Sequence, residues 1–382
     1  MIVGICRETC DGERRVALTP ASLTPLIKAG LKIQVQAGAG DEAGFPDSEY
    51  QAKGATVVAD RAQLIQQADV LVQVRAYGAN PDRGFDDLQH MKAGQVVIGH
   101  AEPLLAHEQT KAMAARGVSL LAMELIPRTT RAQAMDALSS QANLAGYRAV
   151  LIGQDHLPKI FPMMMTAAGT LKPAKVFIIG AGVAGLQAIA TAKRLGAAVS
   201  ATDVRPATKE QVESLGGKFV MVPEAMAEGE GGYAKELTPE QQAKQKALVA
   251  DVVADSDVVI TTALIPGRPA PKLITEDMVK RMAPRSVIVD MAAERGGNCE
   301  LTEPGKTVVK HGVTLVGHLH IASDVAYDAS TMYAGNVVKL IQHLIGKTQE
   351  IQWNLEDEIT RGVLVTRDGQ VVHERVKQAM GA

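Results

Sequence analysis

The chain of 382 residues has little cysteine: Cys6, Cys10 and Cys299 are all there is. Three scattered thiols cannot build a disulfide framework, and their scarcity points to a reducing compartment. Neither Cys6 nor Cys10 has a neighbouring cysteine or histidine to complete a metal site, so no metal is expected. Charge of one sign is not in excess. The formal net charge is −2, which gives no argument for nucleic acid or an anionic membrane surface. No unbroken long apolar run exists either. The longest, Val176 to Ala192, contains three glycines and Gln187, so no membrane span is expected. The start, Met1-Ile2-Val3-Gly4-Ile5, lacks a basic region and reads as a strand rather than a signal peptide. Aromatic residues make up 3% of the chain, against 46% apolar and 21% charged residues and 35 glycines. That is the composition of a soluble α/β protein, and the length suits two or three domains.

What is present is Gly180-Ala181-Gly182-Val183-Ala184-Gly185. It follows the apolar run Lys175–Ile179 and opens a helical stretch from Val183 to Leu195. A second apolar run, Ala197–Thr202, then ends at Asp203. This is a G-x-G-x-x-G turn in a strand–helix–strand unit closed by an acid, the pattern of a dinucleotide site. Gly180 permits the tight turn, Gly182 lets a pyrophosphate approach the backbone, and Gly185 lets the helix pack on the sheet. The free N–H groups at the helix start favour the diphosphate. Asp203 would accept hydrogen bonds from the adenosine ribose and disfavour a 2′-phosphate, by up to roughly 4 kcal/mol at an effective dielectric near 20. That points to NAD(H). Arg205 is the complication, because an arginine there can receive a 2′-phosphate; the blander reading is a solvated surface charge. The alternative for the whole motif is a merely structural glycine turn.

The first third alternates apolar runs, at Ile2–Arg7, Lys32–Ala37, Ala55–Val58, Asp69–Arg75, Gln95–His100 and Ser119–Leu125, with helical stretches such as Pro20–Ala29 and Pro103–Arg116. Helices between strands imply parallel crossovers. Gly38 to Gly44 reads as turn glycines rather than a second phosphate loop, because Phe45-Pro46 interrupts the expected helix. A long helix from Asp136 to about His156 would bridge two domains. Further strands are expected at Lys218–Val222, Asp257–Ala263, Ser286–Met291 and Val313–Val316, six in all for the second domain. The glycine-rich stretch 223–236, with Tyr233 as its anchor, is long for an α/β connection and reads as a lid or a surface linker. After a helix at Thr331–Leu344, Val363–Val372 forms a hairpin around Asp368-Gly369. The expectation is an α/β protein of two Rossmann-like, doubly wound parallel-sheet domains with a cleft between them. One comprises residues 1–137 plus 327–382, and the other 138–326.

Several segments together resemble a known family. They are Glu13–Pro20, Met123–Arg128, Arg131–Tyr147, Phe161–Gly169 and Gly231–Glu236. The chain is similar over its full length to the NAD(H)-binding domain I of proton-translocating NAD(P) transhydrogenases, which are related to alanine dehydrogenase. The family's arginine–glutamine–aspartate loop falls on Arg128, Gln133 and Asp136, with Ser139 beside them; these are the catalytic candidates. Its mobile-loop tyrosine falls on Tyr233 and its ribose acid on Asp203. Cofactor-binding candidates are then Gly180, Gly182, Val183, Ala184, Gly185, Asp203, Val204, Arg205, Tyr233, Ala263 and Leu264. The resemblance implies a homodimer that binds NAD(H). It would dock on an NADP(H)-binding component and a membrane-embedded proton-channel component, at the inner face of the cell membrane. Direct hydride transfer needs two nicotinamide rings held about 3–3.5 Å apart with water excluded, and no metal or nucleophile. Gln133 can donate to and accept from a carboxamide. Arg128 and Asp136 can pair to stiffen the loop, or Asp136 can simply cap the following helix.

The alternative is an alanine dehydrogenase-like amino-acid oxidoreductase. Arg15 matches that family's carboxylate-binding arginine and His100 its catalytic histidine. Its substrate lysine, however, falls on Arg75 and its catalytic aspartate on Glu294. Arginine is not equivalent to lysine in shape or donor pattern, and a histidine at a strand end also fits a packed structural role. These departures favour the transhydrogenase reading.

Overall fold

The computed structural model describes residues 1–222, 238–265 and 267–381. The chain divides into two compact units, Met1–Gln141 with Ala322–Ala382, and Ala142–Ile321. The first unit opens with β1 (Ile2–Ile5), β2 (Lys32–Gln36), β3 (Thr56–Val58), β4 (Val70–Arg75), β5 (Val96–His100) and β6 (Ser119–Ala122). These strands are all parallel, in the order β3-β2-β1-β4-β5-β6. Alternate residues feed two cores. Val70, Val72 and Val74 pack with Ile5 and Ile98 on one face, and Leu71 packs with Val97 and Leu120 on the other. Burial on both faces explains why the strands read as continuous apolar runs. The helix expected over Pro20–Ala29 is instead a 3-10 turn, Pro20–Leu23, followed by a helix at Thr24–Lys28. Pro25 lacks the N–H that a continuous helix needs there. Likewise the second expected helix starts only at His107, after Glu102 takes a left-handed φ of 51°.

The strand order reverses between β1 and β4, and the carboxyl edge there is packed with charge. Glu8 accepts from the N–H groups of Val74 (2.7 Å) and Arg75 (3.1 Å). Glu13 is fully buried; Arg15 donates to its two oxygens at 2.7 and 2.6 Å, and Arg75 donates at 3.0 Å. Ser323 adds a hydroxyl at 3.0 Å, and Arg15 reaches Gln141 at 2.7 Å. Burial opposes the charge on Glu13, but Arg15 and Arg75 outweigh it and hold the carboxyl far below the usual range.

The second unit adds β7 (Met164–Thr166) and β8 (Gly169–Leu171), an antiparallel hairpin. Its main sheet contains β9 (Lys175–Ile179), β10 (Ala198–Thr202), β11 (Lys218–Phe219), β12 (Val258–Thr261), β13 (Val287–Asp290), β14 (Thr307–Lys310) and β15 (Val313–Val316). The order is β11-β10-β9-β12-β13-β15-β14. Six strands repeat the parallel arrangement of the first unit. The seventh, β14, was not expected from sequence and runs antiparallel to β15. It is joined to β15 by His311 and Gly312, both at positive φ (52° and 77°), which is tight-hairpin geometry. The strand expected over Lys218–Val222 pairs only at Lys218–Phe219. The helix Ala137–His156 runs through residue 141, where the first unit's leading segment ends, and its glycines pack closely against the helix Val183–Arg194 and the strand β12. A methyl group at Gly146 would collide with the Ala184 backbone, and one at Gly153 would lie 2.8 Å from Val258 Cγ1.

The chain then returns to the first unit. The helix Ala326–Ile345 buries Tyr333, Val337 and Ile341 in the first core, and the Tyr333 hydroxyl donates to the Gln73 carbonyl at 2.9 Å. Strand β16 (Leu364–Arg367) extends the first sheet antiparallel to β6, and β17 (Gln370–Val371) pairs antiparallel with β16 at the edge. Both sheets are therefore mixed at one edge rather than wholly parallel. Glu13→Gln should destabilise the first unit by about 3–5 kcal/mol, because the buried Arg15 guanidinium loses its counter-charge. Chemical unfolding followed by signals from that unit measures this. The Glu13 contribution is present above the ordinary carboxyl value of 4.5 and is lost as pH falls toward its depressed pKa, so the difference between parent and variant should shrink in acid.

Candidate functional site

In the second unit the strand order also reverses at its middle, between β9 and β12, and the carboxyl edge is built differently. Gly180 follows β9 with φ of 103°, which a side chain would strain. The helix Val183–Arg194 starts directly after it, with Gly182 as its cap residue. A methyl group at Gly185 would collide with the Gly180 carbonyl and lie 3.4 Å from Ile178 Cγ2. At Gly182 the same methyl group would meet nothing within 4 Å. The turn is therefore closed toward the sheet and open toward the helix N-terminus, where free N–H groups favour an anion. Thr262 braces the turn from β12: its N–H donates to Ile179 at 2.9 Å and its hydroxyl to Gly180 at 3.2 Å.

Asp203 stands beside this turn at the end of β10. One oxygen accepts from the Ala181 N–H at 2.7 Å and from the Arg205 guanidinium at 3.0 Å. The other accepts from the Arg205 N–H and Nε, both at 2.9 Å. Burial opposes the charge, but the bonds from Arg205 and Ala181 outweigh it and lower the carboxyl pKa. Arg205 is thus not merely a solvated charge, as read from sequence; it is half exposed and covers Asp203. On the chain segments that meet at the turn, the apolar Val183, Val204, Leu264 and Ile265 are exposed. Ala184 is half-buried in the first helical turn. Ala263 is framed by Asn298, which accepts from its N–H at 3.0 Å and donates to its carbonyl at 2.9 Å. Sequence reading missed Thr262 and Asn298, since neither stands in a motif. Tyr233 lies outside the described residues.

In the first unit, Arg128, Gln133, Asp136 and Ser139 share one loop and helix start. Asp136 does not pair with Arg128. Its carboxylate accepts from the Ser139 N–H at 2.9 Å and the Ser139 hydroxyl at 2.6 Å, which is helix-capping geometry. Arg128 and Gln133 are exposed. Neither side chain has a hydrogen bond or ion pair among the described residues, so both are available to a ligand. The residues matched to an amino-acid dehydrogenase are engaged internally. Arg15 and Arg75 bind Glu13 as above, and His100 Nδ1 lies 3.5 Å from Glu124 with its ring centroid 5.5 Å from that of Tyr333. Glu294 accepts from the His320 N–H at 3.0 Å and lies 2.7 Å from its Nδ1. No cluster of potential metal ligands occurs among the described residues.

Comparison with known proteins agrees with this architecture. The family described as "Alanine dehydrogenase/PNT, N-terminal domain" matches residues 4–145, and its "C-terminal domain" counterpart matches residues 149–374. The chain belongs to the alanine dehydrogenase/PNT family. Within it, the transhydrogenase side is nearer. The first of the parts that make up NAD(P) transhydrogenase subunit alpha in Rhodospirillum rubrum is 51% identical, with 98% of each chain covered. Alanine dehydrogenase of Bacillus subtilis is 29% identical over all of this chain and 95% of its own. The crystal structure of a transhydrogenase from Sinorhizobium meliloti superposes with a TM-score of 0.87 at 48% identity, covering 97% of this chain and 100% of that one.

The two glycines of the turn make separable predictions. Gly185→Ala should destabilise the second unit by at least about 1–3 kcal/mol, since the added methyl group overlaps a backbone carbonyl. Gly182→Ala should unfold like the parent yet bind NADH more weakly, because its methyl group occupies only the space open to ligand. Thermal unfolding and NADH titration of both variants check this; a Gly182→Ala chain with parental affinity would dissociate that residue from binding.

Proposed function

We infer that this chain is the NAD(H)-binding subunit of a proton-translocating NAD(P) transhydrogenase. It delivers hydride from NADH to NADP⁺ held by a separate component, coupled to proton movement through a membrane component. The geometric observation that carries the reading is the open face at Gly182 beside Asp203, on a helix start with exposed apolar neighbours. The diphosphate would lie on the Gly182 side of the turn and the adenosine ribose at Asp203, with Arg205 turning aside. Val183, Val204 and Leu264 would give the nucleotide apolar contact. Identity to transhydrogenase α subunits over nearly the whole chain supports the partner half of the reading.

The chemistry asks little of the protein beyond alignment. Hydride passes directly between two nicotinamide rings, so the rate depends on their spacing and on excluding water. Gln133, exposed and with no side-chain partner among the described residues, has both donor and acceptor for the NADH carboxamide. Arg128 beside it supplies a cation for nucleotide or partner. Asp136 and Ser139 fix the helix start behind the loop. No helix among the described residues is long and apolar enough to cross a membrane, which fits a peripheral subunit on the inner face of the cell membrane. The β7–β8 hairpin exposes Met164, Met165 and Leu171; an apolar hairpin of this kind supports a homodimer that covers it.

The test is hydride transfer from NADH to an NADP analogue, with and without the NADP(H)-binding component. Transfer is expected only with both, and L-alanine should not be oxidised. NAD-dependent deamination of L-alanine at ordinary dehydrogenase rates would replace this reading with the amino-acid oxidoreductase. Gln133→Asn, one methylene shorter, should slow single-turnover transfer by at least about tenfold, roughly 1.4 kcal/mol, at saturating NADH. Its NADH dissociation constant should change much less. A defect that disappears at high NADH would mean that Gln133 binds rather than aligns.

A further inference from the structure

The loop that carries Arg128 and Gln133 is tied down at positions flanking Gln133 by residues from the far end of the chain. On the near side, Arg131 donates to Asp357 at 2.9 Å, and Thr129 donates its hydroxyl to Glu358 at 3.2 Å. Asp357 is itself fixed from several directions. It caps the helix Glu358–Val363 by accepting from the N–H groups of Ile359 (3.1 Å) and Thr360 (2.9 Å), and it lies 2.8 Å from His343 Nε2. That helix abuts the loop's lead-in, because a methyl group at Gly362 would lie 3.1 Å from the Pro127 ring. Beyond Gln133, Asn336 donates to the Ala134 carbonyl at 2.9 Å and accepts from Ser140 at 2.7 Å. Gln133 therefore stands free between two tethered flanks.

We propose that Arg131, Asp357 and Glu358 form a clamp that presets the Gln133 loop, so that the C-terminal segment takes part in hydride transfer as a positioning element. The proposal rests on the reading of Gln133 as the ring-aligning residue. Arg131 is 63% exposed, and an exposed ion pair adds little to folding stability. What a side chain held this way can supply is placement. A loop residue that aligns two rings loses rate steeply when it drifts by a fraction of an ångström.

The experiment uses the full chain with the NADP(H)-binding component. Arg131→Ala should lower single-turnover transfer at saturating NADH by about fivefold, with NADH affinity and unfolding temperature unchanged. Arg131→Lys, which keeps a cation, should recover part of the rate. Because Arg131 acts through Gln133, Arg131→Ala should add little to the defect of Gln133→Asn. Glu358→Gln should show a smaller loss of the same kind. Independently of activity, the Ala132 and Asp136 amides, which donate to Thr129 and Gln133 carbonyls, should exchange hydrogen faster in Arg131→Ala. Parental transfer, or a rate loss that multiplies with that of Gln133→Asn, would overturn the clamp. If the parent chain with its partner transfers no hydride, the functional reading fails; amide exchange then decides the clamp alone, and unchanged protection in Arg131→Ala refutes it.

Discussion

The contact on which the proposed nucleotide face depends is the approach of Gly185 to the Gly180 carbonyl. Any side chain at Gly185 would overlap that backbone. With no side chain there, the helix Val183–Arg194 starts immediately above the end of β9, and its unsatisfied N–H groups meet open space at Gly182. The same closeness lets Asp203, one strand away, reach the Ala181 N–H. Turn, helix dipole and acid are thus one construction. Thr262, from the strand on the other side, closes it by binding the Gly180 carbonyl.

The two units share the strand order 3-2-1-4-5-6, and with it a crevice where the order reverses. They use it in opposite ways. In the second unit the crevice edge is a glycine turn with free space beside it. In the first unit the corresponding edge is filled by Glu8, Glu13, Arg15 and Arg75, whose donors and acceptors meet one another. Buried ion pairs of this kind give up hydration on both sides, and they persist only because each charge is met with short, well-directed bonds. The first unit contributes something else: a loop whose flanks are tethered and whose exposed Gln133 and Arg128 side chains have no partner among the described residues.

Much of the plan was legible in the sequence because burial on both faces of a parallel sheet leaves continuous apolar runs. The strands around Val70–Arg75 and Lys175–Ile179 stand out for that reason. The glycine turn was legible because each of its glycines answers a local steric demand. What was not legible depends on a partner or a side-chain conformation that no residue pattern names. Strand β14 is four residues long and half polar, and only its partner β15 makes it a strand. Arg205 reads as a surface charge until Asp203 is seen within reach of its guanidinium. Asn298 is 35 residues from Ala263, and no spacing rule connects them.

By itself, the sequence determined the fold class, the place of the dinucleotide-type turn and the family resemblance. Each rests on patterns of a few to a few tens of neighbouring residues: periodicity, glycine spacing, an acid at a strand end. The tertiary structure alone decided which charges are available. Arg15, Arg75 and Glu294 have the residue types of a polar binding site, yet each is held by an internal partner, whereas the exposed Gln133 and Arg128 side chains have none among the described residues. It also joined Arg131 to Asp357 across 226 residues. The reason is physical: whether a charged group faces a ligand or its own protein depends on what lies within about 3 Å, and folding brings those neighbours from anywhere in the chain.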